Sequence, residues 1–276
     1  MDGILVINKP MGMTSHDVVN ILRKKLKQKK IGHTGTLDPD ASGVLIILLG
    51  KACKALQFLQ DTDKVYKSSI QLGYNTDTDD IYGNKISEKE INLDFDFEKV
   101  LSSFTGKQRQ KVPMTSAKKI NGKKLMEYQR EGITDLDVYT DVEIYSIKRI
   151  SKEDLSFIVH CSSGCYVRSI CRDFGLKTDN LSCMKSLERI QVGRFTIDMA
   201  QNLEDVSLDS IQLYPLEMVL SHIEKIEYQP VKDIYNGKSI RIETKADQIC
   251  LYDNNQPIAI YQRKSDDIFS CVRGLF

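Results

Sequence analysis

The sequence predicts an α+β fold: a mostly antiparallel central sheet flanked by helices, followed by a small β-rich unit. Two observations carry this prediction. Apolar runs of strand length are interrupted by helical patterns without the regular alternation of βαβ units. Beyond residue 230 the strands become short and are separated by turn residues such as Asp253-Asn254-Asn255. The length of 276 residues, with 41% hydrophobic and 28% charged residues, suits one large domain or a large one plus a small one.

The elements follow in order. Residues 4–7 read as a short strand. Ser15 is placed to cap a helix whose apolar positions Val18, Leu22 and Leu26 recur every four residues. Asp17 lies in its first turn and lysines in its last, as the helix dipole favours. After a glycine-rich loop, 44–49 reads as a buried strand and 51–60 as a helix. Tyr66, Ser68, Ile70 and Leu72 alternate with Val65, Lys67, Ser69 and Gln71, which predicts a strand. A short helix is expected at 97–104, strands at 142–150 and 155–161, a helix at 166–174 and an extended segment at 187–197. A boundary is expected near 222–229. It is followed by a helical turn at 231–235, ended by Asn236-Gly237, and strands at 248–252, 258–262 and 268–272.

Composition narrows the function classes. The longest aliphatic stretch, 44–49, falls far short of the ~18 residues that suggest a membrane span, and Met1-Asp2-Gly3 lacks the basic start of a signal peptide. A cytoplasmic protein is expected. Seven cysteines, an odd number, fit reduced thiols, and Cys161, Cys165 and Cys171 lack the paired spacing of a zinc site. No metal is expected. The net charge is only +1, but Arg23, Lys24, Lys25, Lys27, Lys29 and Lys30 form one basic cluster. Lys107, Arg109, Lys111, Lys118, Lys119, Lys123, Lys124 and Arg130 form a second. Both are expected to meet phosphates. Acid concentrates elsewhere, at 77–80 and 88–98.

The most informative segment is Gly32-His33-Thr34-Gly35-Thr36-Leu37-Asp38-Pro39-Asp40-Ala41-Ser42-Gly43. Pro39 disfavours a helical Asp38, and the glycines allow tight bends or close approach to a ligand. A carboxylate so placed faces a cleft, with a buried strand behind it to hold its position. The string closely resembles the catalytic-aspartate motif of the TruB family, tRNA pseudouridine synthases acting on the T-arm, whose usual form is GHTGTLDPxATG. Ser42 stands where threonine is usual.

Further segments resemble the same family in order and spacing. Residues 7–15, INKPMGMTS, are similar to its KPxGxTS motif and carry Lys9. Lys64-Val65-Tyr66, Leu72-Gly73 and Thr76-Asp77-Thr78-Asp79-Asp80 are similar to KxY…LGxxTDTxDxxG. Residues 110–132 resemble the RNA-gripping insertion, with Ser116, Ala117, Lys118, Gly122, Leu125 and Arg130 matching. Val112, Thr115 and Met126 stand where a proline and two tyrosines are usual. Residues 163–170 resemble SxGTYIRSL, with Cys165 in place of threonine, and Leu187 and Arg189 match an LxR motif.

The resemblance implies the pseudouridine synthase fold over 1–225, with an RNA-gripping insertion at about 106–135. It implies a PUA-like RNA-binding unit over 226–276. It implies isomerisation of uridine 55 in the tRNA T-arm loop by a stand-alone, monomeric enzyme that flips the base and needs no cofactor. The implied catalytic residues are Asp38, Tyr66 and Arg168, the arginine pairing with the aspartate. His33, Tyr166, Leu187, Lys9 and Lys118 would contact substrate. Two rival readings differ in class: a non-catalytic RNA-binding protein, and a hydrolase using Asp38 with Asp40 as a carboxylate pair.

Overall fold

Strand β1 (Gly3–Lys9), helix α1 (Ser15–Lys25), and strands β2 (Ile31–Thr34) and β3 (Ser42–Leu49) frame the aspartate loop in a computed structural model of the chain, which describes residues 1–58, 63–133 and 136–276. β3 explains why its sequence is a continuous apolar run rather than an alternating one. Leu45, Ile47 and Leu49 pack with Leu5, Ile7 and the apolar stripe of α1, while Val44, Ile46 and Leu48 pack on the opposite face against residues of the C-terminal unit. A strand buried on both faces needs apolar side chains at every position.

Beyond a 3-10 helix at Gly50–Phe58 come β4 (Lys64–Leu72), β5 (Tyr74–Thr76), β6 (Lys85–Glu88) and α2 (Phe97–Ser102). Next are β7 (Gly106–Lys111), β8 (Lys119–Ile120), β9 (Lys123–Lys124), α3 (Leu125–Arg130), β10 (Tyr139–Arg149) and β11 (Ser156–Cys161). Helix α4 (Val167–Lys177), β12 (Ser182–Val192), β13 (Phe195–Thr196) and β14 (Gln201–Asn202) complete the main sheet. Its ten strands run β14-β1-β3-β12-β4-β11-β10-β7, with β2 and β13 as side branches. All pairings are antiparallel except β1 with β14 and β3 with β12. The predicted α+β class with a mostly antiparallel sheet is what the structure shows.

The tail adds α5 (Glu217–Leu220), β15 (Glu224–Glu227), α6 (Val231–Tyr235), β16 (Ile240–Arg241), β17 (Gln248–Asp253), β18 (Gln256–Ser265) and β19 (Ile268–Gly274). Strands β15 to β19 form a separate five-stranded sheet rather than an extension of the first.

Three sequence expectations need correction. Thr14, not Ser15, caps α1: its hydroxyl accepts from Asp17 N at 3.1 Å, and the Asp17 carboxylate accepts from Thr14 N at 2.9 Å. The helix expected at 51–60 is a 3-10 helix over Gly50–Phe58, and residues 59 and 60 lie outside the described residues. The extended segment expected at 187–197 starts earlier, at Ser182, and turns at Gly193 into β13. All seven cysteines are free thiols, and among the described residues no helix is long and apolar enough to cross a membrane.

Candidate active site

Asp38 opens a turn. Its carbonyl accepts from Ala41 N at 3.1 Å with Pro39 at the second position, an arrangement that suits Asp at the first turn position and Pro at the next. The segments on either side of Asp38 are held by other parts of the chain. Upstream, the buried Arg189 guanidinium donates to Gly35 O at 3.1 Å and Thr36 O at 3.4 Å, and its Nε donates to Val44 O at 2.8 Å. Ser15 Oγ donates to Leu37 O at 3.2 Å and accepts from Leu37 N at 3.0 Å. Downstream, Pro39 O accepts from Gly12 N at 2.9 Å and from Lys9 Nζ at 3.1 Å. The Lys-Pro…Gly…Thr-Ser segment therefore acts as a clamp on the aspartate loop. Gly43 is required for the same assembly: at φ +107°, a Cβ there would lie 2.2 Å from Arg189 O, where β3 and β12 pair in parallel.

Opposite Asp38 stands Arg168 in the first turn of α4. Its Nη2 lies 3.1 Å from Asp38 Oδ2, with the arginine side chain 7% exposed and the aspartate 40% exposed. The pair is asymmetric: a fixed, buried cation holds a carboxylate that reaches into open space. Arg168 Nη1 donates to Thr78 O at 3.0 Å and to Thr115 Oγ1, and lies 3.7 Å from Asp80 Oδ2. One turn further along α4, Arg172 meets Asp79 at 3.0 Å. Burial pushes the Asp79 carboxyl up, against the pull of Arg172 and Arg168. The acidic run expected away from the active loop thus reaches into the site, facing two arginines.

Asp38, Tyr66, Tyr166, Arg168 and Leu187 line one cavity, which Asp38, Arg168 and Leu187 share with a wider outer cleft. Tyr66 comes from β4, where it pairs with Arg189 of β12 and Val159 of β11. Burial pushes its phenol up to about 12, against the nearby Arg189 cation, so the hydroxyl keeps its proton at neutral pH. Burial also raises Tyr166. Leu187 sits between two bulges of β12, at Met184/Ser186 and Arg189/Gln191, which break the regular pairing around it.

Three residues expected at the substrate are not brought to this cavity. Lys9 is fully buried, its ammonium donating to the carbonyls of Pro10 at 2.8 Å, Met13 at 2.7 Å and Pro39 at 3.1 Å. Burial lowers it to about 8. His33 lies on β2 with Nδ1 buried and unpartnered, and desolvation holds its imidazole below the usual range. Lys118 is exposed on the insertion. Asp40 lines the outer cleft, but the second carboxylate on Arg168 is Asp80. Sequence reasoning missed roles for Ser15, Thr115 and Asp80, although the Asp77-Thr78-Asp79-Asp80 run was a visible signal.

Residues 23–167 match the profile of the TruB family pseudouridylate synthase N-terminal domain. A protein of Alkaliphilus oremlandii named tRNA pseudouridine synthase B is 40% identical, aligned over 99% of this chain and 94% of its own. The chain belongs to the TruB family of pseudouridylate synthases. It is an isomerase of the pseudouridine synthase class. The Bacillus subtilis protein of the same name is 36% identical over 95% of this chain and 93% of its own. Among solved structures, a chain of a Cbf5-Nop10-Gar1 complex superposes with a TM-score of 0.72 at 23% identity, covering 96% of this TruB-family chain and 79% of that one. A chain of an H/ACA ribonucleoprotein bound to a substrate RNA gives 0.72 at 20% identity, covering 99% and 85%. These last two likenesses concern the fold.

Proposed function

We propose that the chain converts uridine 55 in the T-arm loop of tRNA to pseudouridine, with Asp38 as the catalytic nucleophile or base. The observation that carries this reading is the Asp38–Arg168 ion pair at 3.1 Å, in a cavity walled by Tyr66, Tyr166 and Leu187. The reaction breaks an N-glycosidic bond, turns the uracil and rejoins it through C5. The carboxylate attacks ribose C1′ or removes the C2′ proton, and the ion pair with Arg168 holds it aimed at the sugar. The target must leave its stack, at a cost of a few kcal/mol. Two aromatic rings and a leucine are the surfaces an extruded base needs. Tyr66 then takes part in removing the C5 proton. Because its hydroxyl is protonated, it accepts that proton only while passing its own on to water in the cavity, and recovery of the conjugated ring drives the step.

The insertion over 106–135 grips the T-arm through Lys118, Lys119, Lys123 and Lys124. Residues 226–276 form a PUA-like unit that contacts RNA and does no chemistry. The enzyme works as a cytoplasmic monomer, without cofactor or obligate protein partner. Release of tritium from C5-labelled uridine in a full-length tRNA transcript tests the reading. One equivalent per tRNA is expected, and none when position 55 is cytidine. No release from the uridine transcript, or undiminished release from the cytidine one, contradicts it.

A further inference from the structure

Thr115 occupies a position where the family resemblance has tyrosine, and the structure gives its hydroxyl a specific task. Thr115 Oγ1 accepts from Arg168 Nη1 and lies 3.4 Å from Thr78 O, to which it donates. The other terminal nitrogen of Arg168 meets Asp38. A guanidinium is planar, so fixing the direction of Nη1 fixes where Nη2 points. Threonine is also stiff at χ1 and its hydroxyl is one bond from Cβ. It reaches Arg168 only while the insertion backbone is seated against α4.

The rest of the insertion is tied to that backbone. Val112, Leu125 and Val138 form a small core with Met114, Ile120 and Leu136. Met126 N donates to Ser116 O at 3.2 Å, and Leu125 N to Lys118 O at 2.9 Å, joining α3 to the Thr115–Lys118 stretch. Gln129 of α3 donates to Asp77 O at 3.1 Å, a second tie to the turn that carries Thr78 and Asp80. At the root of the insertion, Gln110 Oε1 accepts from Tyr166 N at 2.8 Å, two residues before Arg168.

We propose that Thr115 is a positioning residue: through its hydroxyl, the seated insertion holds Arg168 in line with Asp38. Docking of RNA on the insertion and readiness of the carboxylate are thereby linked. The inference rests on the proposed function. It is tested by single-turnover tritium release and by affinity for the full-length transcript, using wild type, Thr115→Val and Thr115→Ser. Valine keeps the shape without the acceptor. Its single-turnover rate should fall by about tenfold or more, the scale of losing one charge-assisted hydrogen bond, while affinity stays within about twofold. Serine keeps the hydroxyl and should recover the rate to within about threefold. Thr115→Ala, which also removes the acceptor, takes the place of the valine variant if that one does not fold. A valine variant as fast as wild type, a loss confined to affinity, or a serine variant as slow as valine overturns the assignment of Thr115 alone. A wild type that releases no tritium overturns the proposed function with it.

Discussion

At the scale of single residues, the site depends on holding charge in fixed places. In the proposed reaction, Tyr66 gives the sharpest division between holding the base and completing the chemistry. Tyr66→Phe keeps the ring and loses the hydroxyl. Affinity for tRNA is expected within a few-fold of wild type, and turnover is expected to fall by on the order of 10²-fold, the usual scale for a proton-transfer group. Tyr66→Leu should also weaken binding, since stacking contributes roughly 1–3 kcal/mol per base. Wild-type turnover in the phenylalanine variant would reduce Tyr66 to a stacking surface. Lys9 makes a different prediction. Its folded value of about 8 lies below the ordinary 10.5, so the unfolded chain binds the proton more tightly between these values. Stability from this residue therefore rises as pH climbs through that window. Urea unfolding of Lys9→Met should lack that rise, and at neutral pH should be destabilised by about 1–3 kcal/mol through unpaired carbonyls. An equal rise in both proteins contradicts this account of Lys9. That Asp38, Tyr66 and Arg168 line one cavity was legible because their motifs occur together, in order and at compatible spacing; only the aspartate loop is distinctive alone. The clamp made by Lys9 and Ser15 was not legible, because a lysine at a Lys-Pro turn looks the same in sequence whether it faces a phosphate or three carbonyls.

At the scale of elements, the insertion carries the electrostatics. Lys118 and Lys119 are exposed, whereas Lys123 is paired with Glu131 and Lys111 with Asp137. The first basic cluster is partly used inside the protein: Arg23 donates to Ile31 O at 3.0 Å, and Lys25 to Leu203 O and Glu204 O at 2.8 and 2.7 Å. Both clusters therefore keep exposed cations for phosphates: Lys24, Lys27, Lys29 and Lys30 in the first, and Lys118 and Lys119 in the second. Replacing Lys118, Lys119, Lys123 and Lys124 with alanine should lower the slope of log K against log salt by up to about 3, at roughly 0.7–0.9 for each phosphate left without its lysine. An unchanged slope, measured by titration at several salt concentrations, would place these lysines in solvent. The element patterns themselves were readable where periodicity was strong, as in β3, β4 and α1. They were least readable where a long-range interaction decides. Ser15 resembles a helix cap in sequence, but the Leu37 backbone takes its hydroxyl and leaves the cap to Thr14.

At the scale of the whole molecule, two sheets share one apolar layer. Cys250, Tyr252, Ile260 and Leu275 of the tail pack with Ile4, Val6, Val44, Ile46 and Leu48 behind the aspartate loop. The tail is thus part of what stiffens β3, whose first residues follow the Asp38 turn. Sequence patterns showed that a β-rich tail exists, but not which face of the main sheet it covers, because burial on both sides looks alike from either side. The central claim concerns Asp38, and Asp38→Asn tests it most directly, since asparagine keeps the shape and removes the charge. Tritium release from C5-labelled tRNA should be abolished while tRNA affinity stays within about threefold of wild type, because the ring contacts and phosphate contacts remain. Asp38→Asn activity within tenfold of wild type would contradict the assignment of Asp38 as the group that starts the reaction.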